Sequence, residues 1–529
     1  MSRRSKASHR IPATMSTQHP DNAAVPKWCN GDVIDGENEI YEAYFAYETL
    51  GCQEVMWDAE GKDVDTRVAR KLLTKYSDFF KKHIMGEDVF LTYRIPNPRI
   101  EGVERKIVVE TLQNIPISYD VASTFYQKKI APIFEVILPF TTDGRELLWL
   151  YNYYRKAISS TEKIDLDGST RVSDWVGTFK PEQIQVIPLV EDFNSLLTVD
   201  KIVEPYLKTA KPKHLRVFIA RSDPALNYGL VCAVILSKIA LSKLKKLEAK
   251  MQIPIHPIIG VGTLPFRGHL SPPNVDRFLD EHRGLSTVTV QSAMRYDYPL
   301  HEAKRAVDRL NEQLPNGDPT PIEPHDEKIL LQVLQKCQME YEGTVEALAP
   351  LVNSIASYVP SRRARRLHIG LFGYSRSLRG ISLPRAITFA ATFYSLGLPP
   401  EFIGGKALAN LDDEEWDVLR EHYSNLTNDL RTVGGLLSWE NMNMLMEMRE
   451  DVAKRSNINI ATLNNAITQI MGGLDAIEDQ LGIKLGSQTP TERKHENFTN
   501  NFLISYIEQE DDEARRFLLE AAKLRRCLG

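Results

Sequence analysis

Two carboxylates stand where they could hold a divalent cation. Glu191 directly follows the apolar run 184–190, and Asp223 comes three residues after the apolar run 215–220. Carboxylate oxygens with no histidine or thiol nearby suit Mg²⁺ or Mn²⁺, which keep water ligands and accept further oxygens from a substrate phosphate. Each carboxylate could instead cap the helix that follows it, as Asp223 before Pro224 would do well. Their position after two successive runs favours the metal interpretation.

Arginines near other runs supply the positive charge that a small anion would need. Arg94 ends the run 88–94. Arg267 lies in a loop whose glycines, Gly262 among them, would let backbone N–H groups approach an anion, while the guanidinium could bind phosphate or carboxylate oxygens. This loop lacks the Gly-Lys-Ser/Thr of a P-loop, and a turn that merely needs a positive φ would look similar.

A later arginine-rich segment contains two kinds of arginine. A glycine and a proline place Arg376 and Arg385 at turns, where they could balance the charge of a phosphate and a carboxylate. Four others are more typical of a solvated or subunit-contact patch: Arg362, Arg363, Arg365 and Arg366. The uncharged residues Ser222 and Gln291 also follow strand-like runs and are candidates for substrate binding.

Short β-branched or aromatic runs alternate with charged amphipathic stretches over the first three hundred residues. We expect strands at 54–58, 88–94, 133–140, 184–190, 215–220, 253–259 and 286–290. Several of these runs are apolar throughout, as in strands that are buried on both faces of a parallel sheet. Repeated βα units at this chain length favour a (β/α)₈ TIM-type barrel, whose functional side chains lie at the C-terminal ends of the strands. The dinucleotide-binding alternative has no G-x-G-x-x-G motif to support it.

A proline- and glycine-rich stretch at 314–321 ends this alternation, and almost everything after it has helical patterning. We therefore expect the barrel core to occupy 15–320 and a large, mainly helical region to occupy 321–529, completing the active site and providing oligomer contacts. The basic segment 1–14, which precedes Met15, is expected to be a disordered extension.

Composition narrows the class of protein further. The 529 residues carry a net charge of −5, which argues against a nucleic-acid partner. No segment is apolar for long enough to cross a membrane, and no secretory signal is apparent. Five scattered cysteines without C-x-x-C spacing indicate neither a disulfide framework nor a structural zinc site, so the sequence predicts a cytoplasmic protein.

A histidine near the start of the chain, His19, gains interest from the motif that contains it. The sequence Thr-Gln-His-Pro-Asp-Asn at 17–22 resembles the opening motif of the archaeal-type phosphoenolpyruvate carboxylases. The resemblance continues in the same order through the segments 57–62, 92–98, 291–299, 373–376 and 383–387, and it covers the chain from about Met15 to Gly529.

The resemblance implies that phosphoenolpyruvate and bicarbonate react to give oxaloacetate and phosphate, with Mg²⁺ (or Mn²⁺) and no organic cofactor. It implies that Glu191 and Asp223 bind the metal and that His19 accepts a proton. It also implies that four arginines stabilise charge on the substrate: Arg94, Arg267, Arg376 and Arg385. A homotetramer is expected, as in the family.

Two alternatives remain open at this point. Another Mg²⁺-dependent barrel lyase acting on a pyruvate-like substrate would need the same carboxylates and arginines. A non-catalytic subunit or sensor that binds phosphoenolpyruvate would need the arginines, although the presence of His19 together with Glu191 and Asp223 argues against it.

Overall fold

Eight parallel β-strands close into a barrel in chain order, with the first strand pairing with the eighth. The computed structural model describes residues 10–59, 65–102, 105–364, 376–378 and 380–529. The strands are β1 (Thr14–Ser16), β2 (Glu54–Asp58), β3 (Phe90–Arg94), β4 (Glu135–Leu138), β5 (Gln185–Val190), β6 (Leu215–Ala220), β7 (Ile255–Gly260) and β8 (Thr287–Val290). The predicted (β/α)₈ barrel is therefore confirmed.

Helices connect the strands and then form an additional region after the barrel. Those of the barrel are α1 (Gly36–Glu48), α2 (Val68–Lys75), α3 (Ser77–Phe80), α4 (Ile107–Tyr126), α5 (Gly144–Tyr153), α6 (Val172–Val176), α7 (Phe193–Leu197), α8 (Val199–Ala210), α9 (Ser222–Tyr228), α10 (Leu230–Met251), α11 (Val275–Glu281), α12 (Ser292–Tyr296) and α13 (Leu300–Gln313). Those beyond it are α14 (Pro324–Ala356), α15 (Ala386–Ser395), α16 (Asp413–His422), α17 (Leu426–Gly434), α18 (Trp439–Glu447), α19 (Arg449–Ser456), α20 (Ile460–Leu481), α21 (Pro490–Ile507) and α22 (Asp511–Arg525). A hairpin of β9 (Arg376–Leu378) and β10 (Ile381–Leu383) precedes α15.

The first strand of the barrel is the one that the sequence patterning missed. It has three residues, too few for any periodicity to be visible, yet Met15 is directly opposite Thr289 of β8. Ala13 belongs to the same strand pairing, because its carbonyl accepts a hydrogen bond from the Val288 N–H at 2.9 Å. Ala13 and Thr14 therefore belong to the barrel and not to the extension expected at 1–14. Residues 1–9 lie outside the described part of the chain.

Side chains alternate along each strand, so every second residue points into the barrel. On β6 the inward residues are Arg216, Phe218 and then Ala220. Arg216 forms ion pairs inside the barrel with Glu54 of β2 at 2.6 Å and Glu135 of β4 at 3.0 Å. The layer above is apolar and includes Phe218. The next inward positions reach the C-terminal rim, where polar side chains can face a ligand.

The additional helices close over that rim. α15 packs against α9, α14, α21 and α22, and α14 also packs against α10 of the barrel. The chain then returns to the rim, where the Leu528 N–H donates to the Asp21 carbonyl at 2.7 Å. Within the described part of the chain, no helix has both the length and the apolar character needed to cross a membrane.

Candidate active site

A cavity of about 230 Å³ lies at the C-terminal ends of the strands, beneath the first turn of α15. Its described lining residues are His19, Pro20, Arg94, Phe140, Glu191, Ser222, Asp223, Arg267, Val359, Pro360, Ser361, Arg362, Arg363, Arg385, Ala386, Ile387 and Thr388. They come from the C-terminal ends of six strands and from the helical region. Arginines dominate the polar lining, so the cavity suits a small, multiply charged anion.

Most residues predicted for the site meet in this cavity. The structure brings together His19, Arg94, Glu191, Ser222, Asp223, Arg267 and Arg385. Gly262 and Gln291 contact Arg267 rather than appearing in the cavity wall: Gln291 Oε1 accepts from Nη2, and a Cβ at Gly262 would lie 3.0 Å from Nη1. The backbone of Arg376 belongs to β9, but its side chain lies outside the described residues, as do residues 373–375.

The cavity contains two negatively charged side chains, the carboxylates of Glu191 and Asp223. Glu191 follows β5 and is 6% exposed, and Asp223 lies in the first turn of α9 after β6. No other acidic residue and no cysteine are found among the described lining residues. Two carboxylates with space for water and substrate oxygens fit Mg²⁺ or Mn²⁺ better than a metal that prefers nitrogen or sulfur ligands.

His19 reaches the same space from the end of β1. Its Nδ1 lies 2.8 Å from the Thr17 hydroxyl, a buried group on the same segment. A hydrogen bond to one ring nitrogen fixes the orientation of an imidazole and selects its tautomer. The His19 imidazole is thus held in one orientation at the cavity.

Arg94 is held in place by a second strand-end residue. Its Nε and Nη2 bind Asp58 Oδ1 and Oδ2 at 2.9 and 2.6 Å, and both side chains are buried. The Asp58 N–H in turn donates to Gln18 Oε1 at 3.0 Å. This two-point pairing fixes the plane of the Arg94 guanidinium. The sequence pattern predicts only that Arg94 lies at the end of a strand.

Arg267 joins four separate segments of the chain. Its Nε donates to Ser222 Oγ at 3.0 Å, and its Nη1 donates to Asp21 Oδ2 at 3.1 Å and to the Gly529 main-chain oxygen at 2.6 Å. Gln291 occupies Nη2. Because these contacts use most of its donors, Arg267 organises the cavity wall as well as facing the cavity, a role that the loop sequence did not reveal.

Arg362 and Arg363 were expected in a solvated or subunit-contact patch, and for these two that expectation is wrong. Both are buried and line the cavity. Arg363 binds both carboxylate oxygens of Glu42, while Arg362 donates to the Ala23 carbonyl at 2.7 Å. Burial acts to raise the pKa of Glu42, but the two arginines beside it, Arg363 and Arg295, lower it to about 2. The remaining two arginines, at 365 and 366, lie outside the described residues.

Two carboxyl groups, one half-buried (Asp297) and one buried (Glu401), anchor the loops that carry His19 and Arg267. Asp297 accepts from the Ala23 and Ala24 N–H groups at 2.6 and 2.7 Å, and burial raises its pKa to about 7. Glu401 accepts from the Phe266 N–H at 2.8 Å and from the Tyr394 hydroxyl at 2.6 Å. Burial likewise raises the pKa of Glu401 to about 7. Neither anchor has a local sequence signal, because each is far in sequence from its loop.

Comparison with known proteins shows which family the chain belongs to. The family model described as phosphoenolpyruvate carboxylase matches residues 11–529. A phosphoenolpyruvate carboxylase of Metallosphaera sedula is 44% identical over 522 residues, covering 98% of this chain and 99% of that protein. Those of Caldivirga maquilingensis and Picrophilus torridus are 45% and 43% identical over 519 and 521 residues, with the same coverage. The chain therefore belongs to the phosphoenolpyruvate carboxylase family.

Proposed function

We propose that this chain carboxylates phosphoenolpyruvate with bicarbonate, releasing oxaloacetate and inorganic phosphate. Full-length membership of the family supports this activity. The observation that carries it is a single cavity in which two carboxylates, one histidine and several arginines meet. Phosphoenolpyruvate bears a phosphate and a carboxylate, and that combination of groups matches its charge.

Binding of the substrate rests on the arginines and on one helix end. Arg94, with its plane fixed by Asp58, and Arg385, the residue before α15, would neutralise phosphate and carboxylate oxygens. The first turn of α15 also faces the cavity, and the N-terminal end of a ten-residue helix favours an anion. Arg376 is assigned to the same role through its position in the family motif.

Glu191 and Asp223 would hold Mg²⁺, or Mn²⁺ in its place. When bound, the ion supplies Lewis-acid stabilisation of negative charge on the enolate and phosphate oxygens. The chain's own contribution is to present two carboxylates on a wall made rigid by β5 and by α9.

The proton transfer in this reaction is assigned to His19. A bicarbonate oxygen attacks phosphorus, which gives carboxyphosphate and the enolate of pyruvate. His19 takes the carboxyphosphate proton, so that the C–O bond breaks and releases CO₂ and phosphate. The enolate carbon then forms a bond to CO₂, giving oxaloacetate. The cavity must exclude water until that bond has formed, because a proton from water would convert the enolate to pyruvate.

A coupled assay with malate dehydrogenase and NADH tests this function. Oxaloacetate should form only when both bicarbonate and a divalent cation are present. Glu191→Ala and Asp223→Ala should each remove that activity, since the metal loses a ligand. Substantial turnover in both variants would contradict the metal assignment, and bicarbonate-independent turnover of the unaltered protein would contradict the carboxylase activity.

Two further properties belong to the same proposal. The five cysteines are all free thiols, which supports a reducing, cytoplasmic location. A homotetramer is proposed from the family resemblance, with the helical region providing its contacts. Light scattering coupled to size-exclusion chromatography measures that state directly.

A further inference from the structure

Phe140 has a backbone conformation that a bulky residue rarely adopts. It follows β4 and has a φ of 51°, in the left-handed region that favours glycine. Among the described residues, seven other non-glycine residues have a positive φ, and five of them are C-caps of helices, where this conformation is common: Gln127, Lys211, Gln252, Asn457 and Arg526. Phe140 instead lies at the end of a barrel strand, so its conformation needs another explanation.

The left-handed turn changes the direction in which Phe140 points. Glu135 and Ile137 are the inward residues of β4, so a continued strand would direct residue 139 inward and residue 140 outward. The turn ends the strand instead, and Phe140 lines the cavity. Backbone strain of this kind persists where the surroundings impose it, and it is concentrated at functional sites.

The segments on both sides of Phe140 impose this conformation. Before it, the Asn97 side-chain amide donates to the Pro139 carbonyl at 2.9 Å. After it, the Thr141 N–H donates to the Leu189 carbonyl of β5 at 3.0 Å, and the Thr141 hydroxyl donates to the Leu138 carbonyl at 2.7 Å. The backbone on both sides of Phe140 is therefore held by hydrogen bonds, and the residue lines the cavity.

The strand that precedes Phe140 lies between two strands that end at groups of the proposed reaction. β4 lies between β3, which ends at Arg94, and β5, which Glu191 follows. Phe140 carries the only phenyl ring among the described lining residues. The ring is half-buried and follows the strand between those two, so it adds an apolar surface to a cavity whose arginines and carboxylates attract water.

We propose that Phe140 is a specificity-determining residue that keeps water from the enolate carbon, so that the carbon reacts with CO₂ rather than with a proton. This inference rests on the proposed function. The Phe140 ring itself takes no part in bond making or breaking. The ring affects the ratio of two products, oxaloacetate and pyruvate, that arise from one enolate.

The ratio of these products tests the proposal, because it does not depend on how much of the protein is folded. Oxaloacetate is trapped as malate while it forms, and pyruvate is measured separately in the same sample. Phe140→Ala and Phe140→Gly should raise the pyruvate-to-oxaloacetate ratio by about tenfold. Phe140→Leu, which keeps an apolar side chain of similar reach, should change the ratio by less than about twofold.

A matched control separates the ring from the backbone conformation. Gln127 has the same φ of 51°, but it is exposed at the end of α4. Gln127→Gly should leave the product ratio unchanged. Phe140→Gly relieves the same kind of backbone strain, so its melting temperature should be above that of Phe140→Ala.

The outcomes distinguish this inference from the proposed function. An unchanged ratio in both Phe140→Gly and Phe140→Ala would overturn the role of the ring while leaving the carboxylase activity intact. Absence of oxaloacetate from the unaltered protein would overturn the proposed function, and the role of Phe140 with it. If Phe140→Ala does not fold, Phe140→Gly decides the question alone.

Discussion

At the scale of single residues, the cavity is organised by pairs in which one side chain holds another. Asp58 fixes Arg94 through two hydrogen bonds, and Thr17 orients His19 through one. The buried ion pair of Asp58 and Arg94 is costly to break, because the remaining partner is left uncompensated. Residues that line the cavity therefore depend on residues that do not.

Removing the negative charge of Asp58 tests this dependence. Asp58→Asn keeps the shape of the side chain but weakens the two-point hold on Arg94, and we expect the KM for phosphoenolpyruvate to rise about tenfold, equivalent to about 1.4 kcal/mol. Asp143→Asn is the matched control, since Asp143 pairs with Arg145 at an exposed position. An unchanged KM in Asp58→Asn would show that Arg94 needs no partner.

Replacing His19 should separate the two halves of the reaction. In His19→Asn we expect bicarbonate-dependent phosphate release to continue slowly, while oxaloacetate formation falls by about a hundredfold, because the proton of carboxyphosphate has no acceptor. Phosphate and oxaloacetate are measured in the same sample. Normal carboxylation by this variant would rule out His19 as the proton acceptor.

At the scale of elements, loops after strands carry the site, and distant buried groups anchor them. Glu401 holds the loop of Arg267 through the Phe266 N–H, and burial raises its pKa to about 7 from an ordinary value of 4.5. The native protein therefore binds more protons than the unfolded chain between these two pH values. Consequently the free energy of unfolding should fall as the pH rises from about 4.5 to 7.

Glu401→Gln removes this titration and keeps an oxygen that can accept both hydrogen bonds. The melting temperature of the variant, relative to the unaltered protein, should therefore increase between pH 5 and pH 8. The shift corresponds to an ionisation penalty on the order of 3 kcal/mol. Glu312→Gln, at an exposed position on α13, is the control. A difference in melting temperature that does not vary with pH would contradict the account.

Gly529, where the chain returns to the rim of the barrel, has no space for a larger side chain. A Cβ on Gly529 would lie 2.2 Å from the Ile387 carbonyl oxygen, in the first turn of α15. Gly529→Ala should therefore displace the oxygen that binds Arg267, and we expect kcat/KM to fall at least about tenfold. Full activity in this variant would show that the contact with Arg267 is dispensable.

Sequence patterning finds elements whose signal is local. Strands such as β2 and β6 were predicted with their observed bounds, because each is a run of five or six residues whose side chains are all buried. β1 is too short to show a pattern. The contacts of Arg267 could not be predicted either, since its partners are as far apart as Asp21 and Gly529.

At the scale of the whole molecule, a net charge of −5 conceals a cavity lined mainly by arginines. The barrel supplies two carboxylates and the histidine of the cavity, while the helical region supplies Arg362, Arg363 and Arg385. Neither part alone provides the charge balance that a phosphorylated carboxylate needs. The two parts should therefore function, and unfold, as one unit.

Transfer of ¹⁸O from labelled bicarbonate tests the central claim most directly. If a bicarbonate oxygen attacks phosphorus, each phosphate released should contain one ¹⁸O atom, and one oxaloacetate should form for each phosphate. Mass spectrometry of both products from a single turnover in unlabelled water measures this. Phosphate without the label, or labelled phosphate without an equal amount of oxaloacetate, would contradict the account.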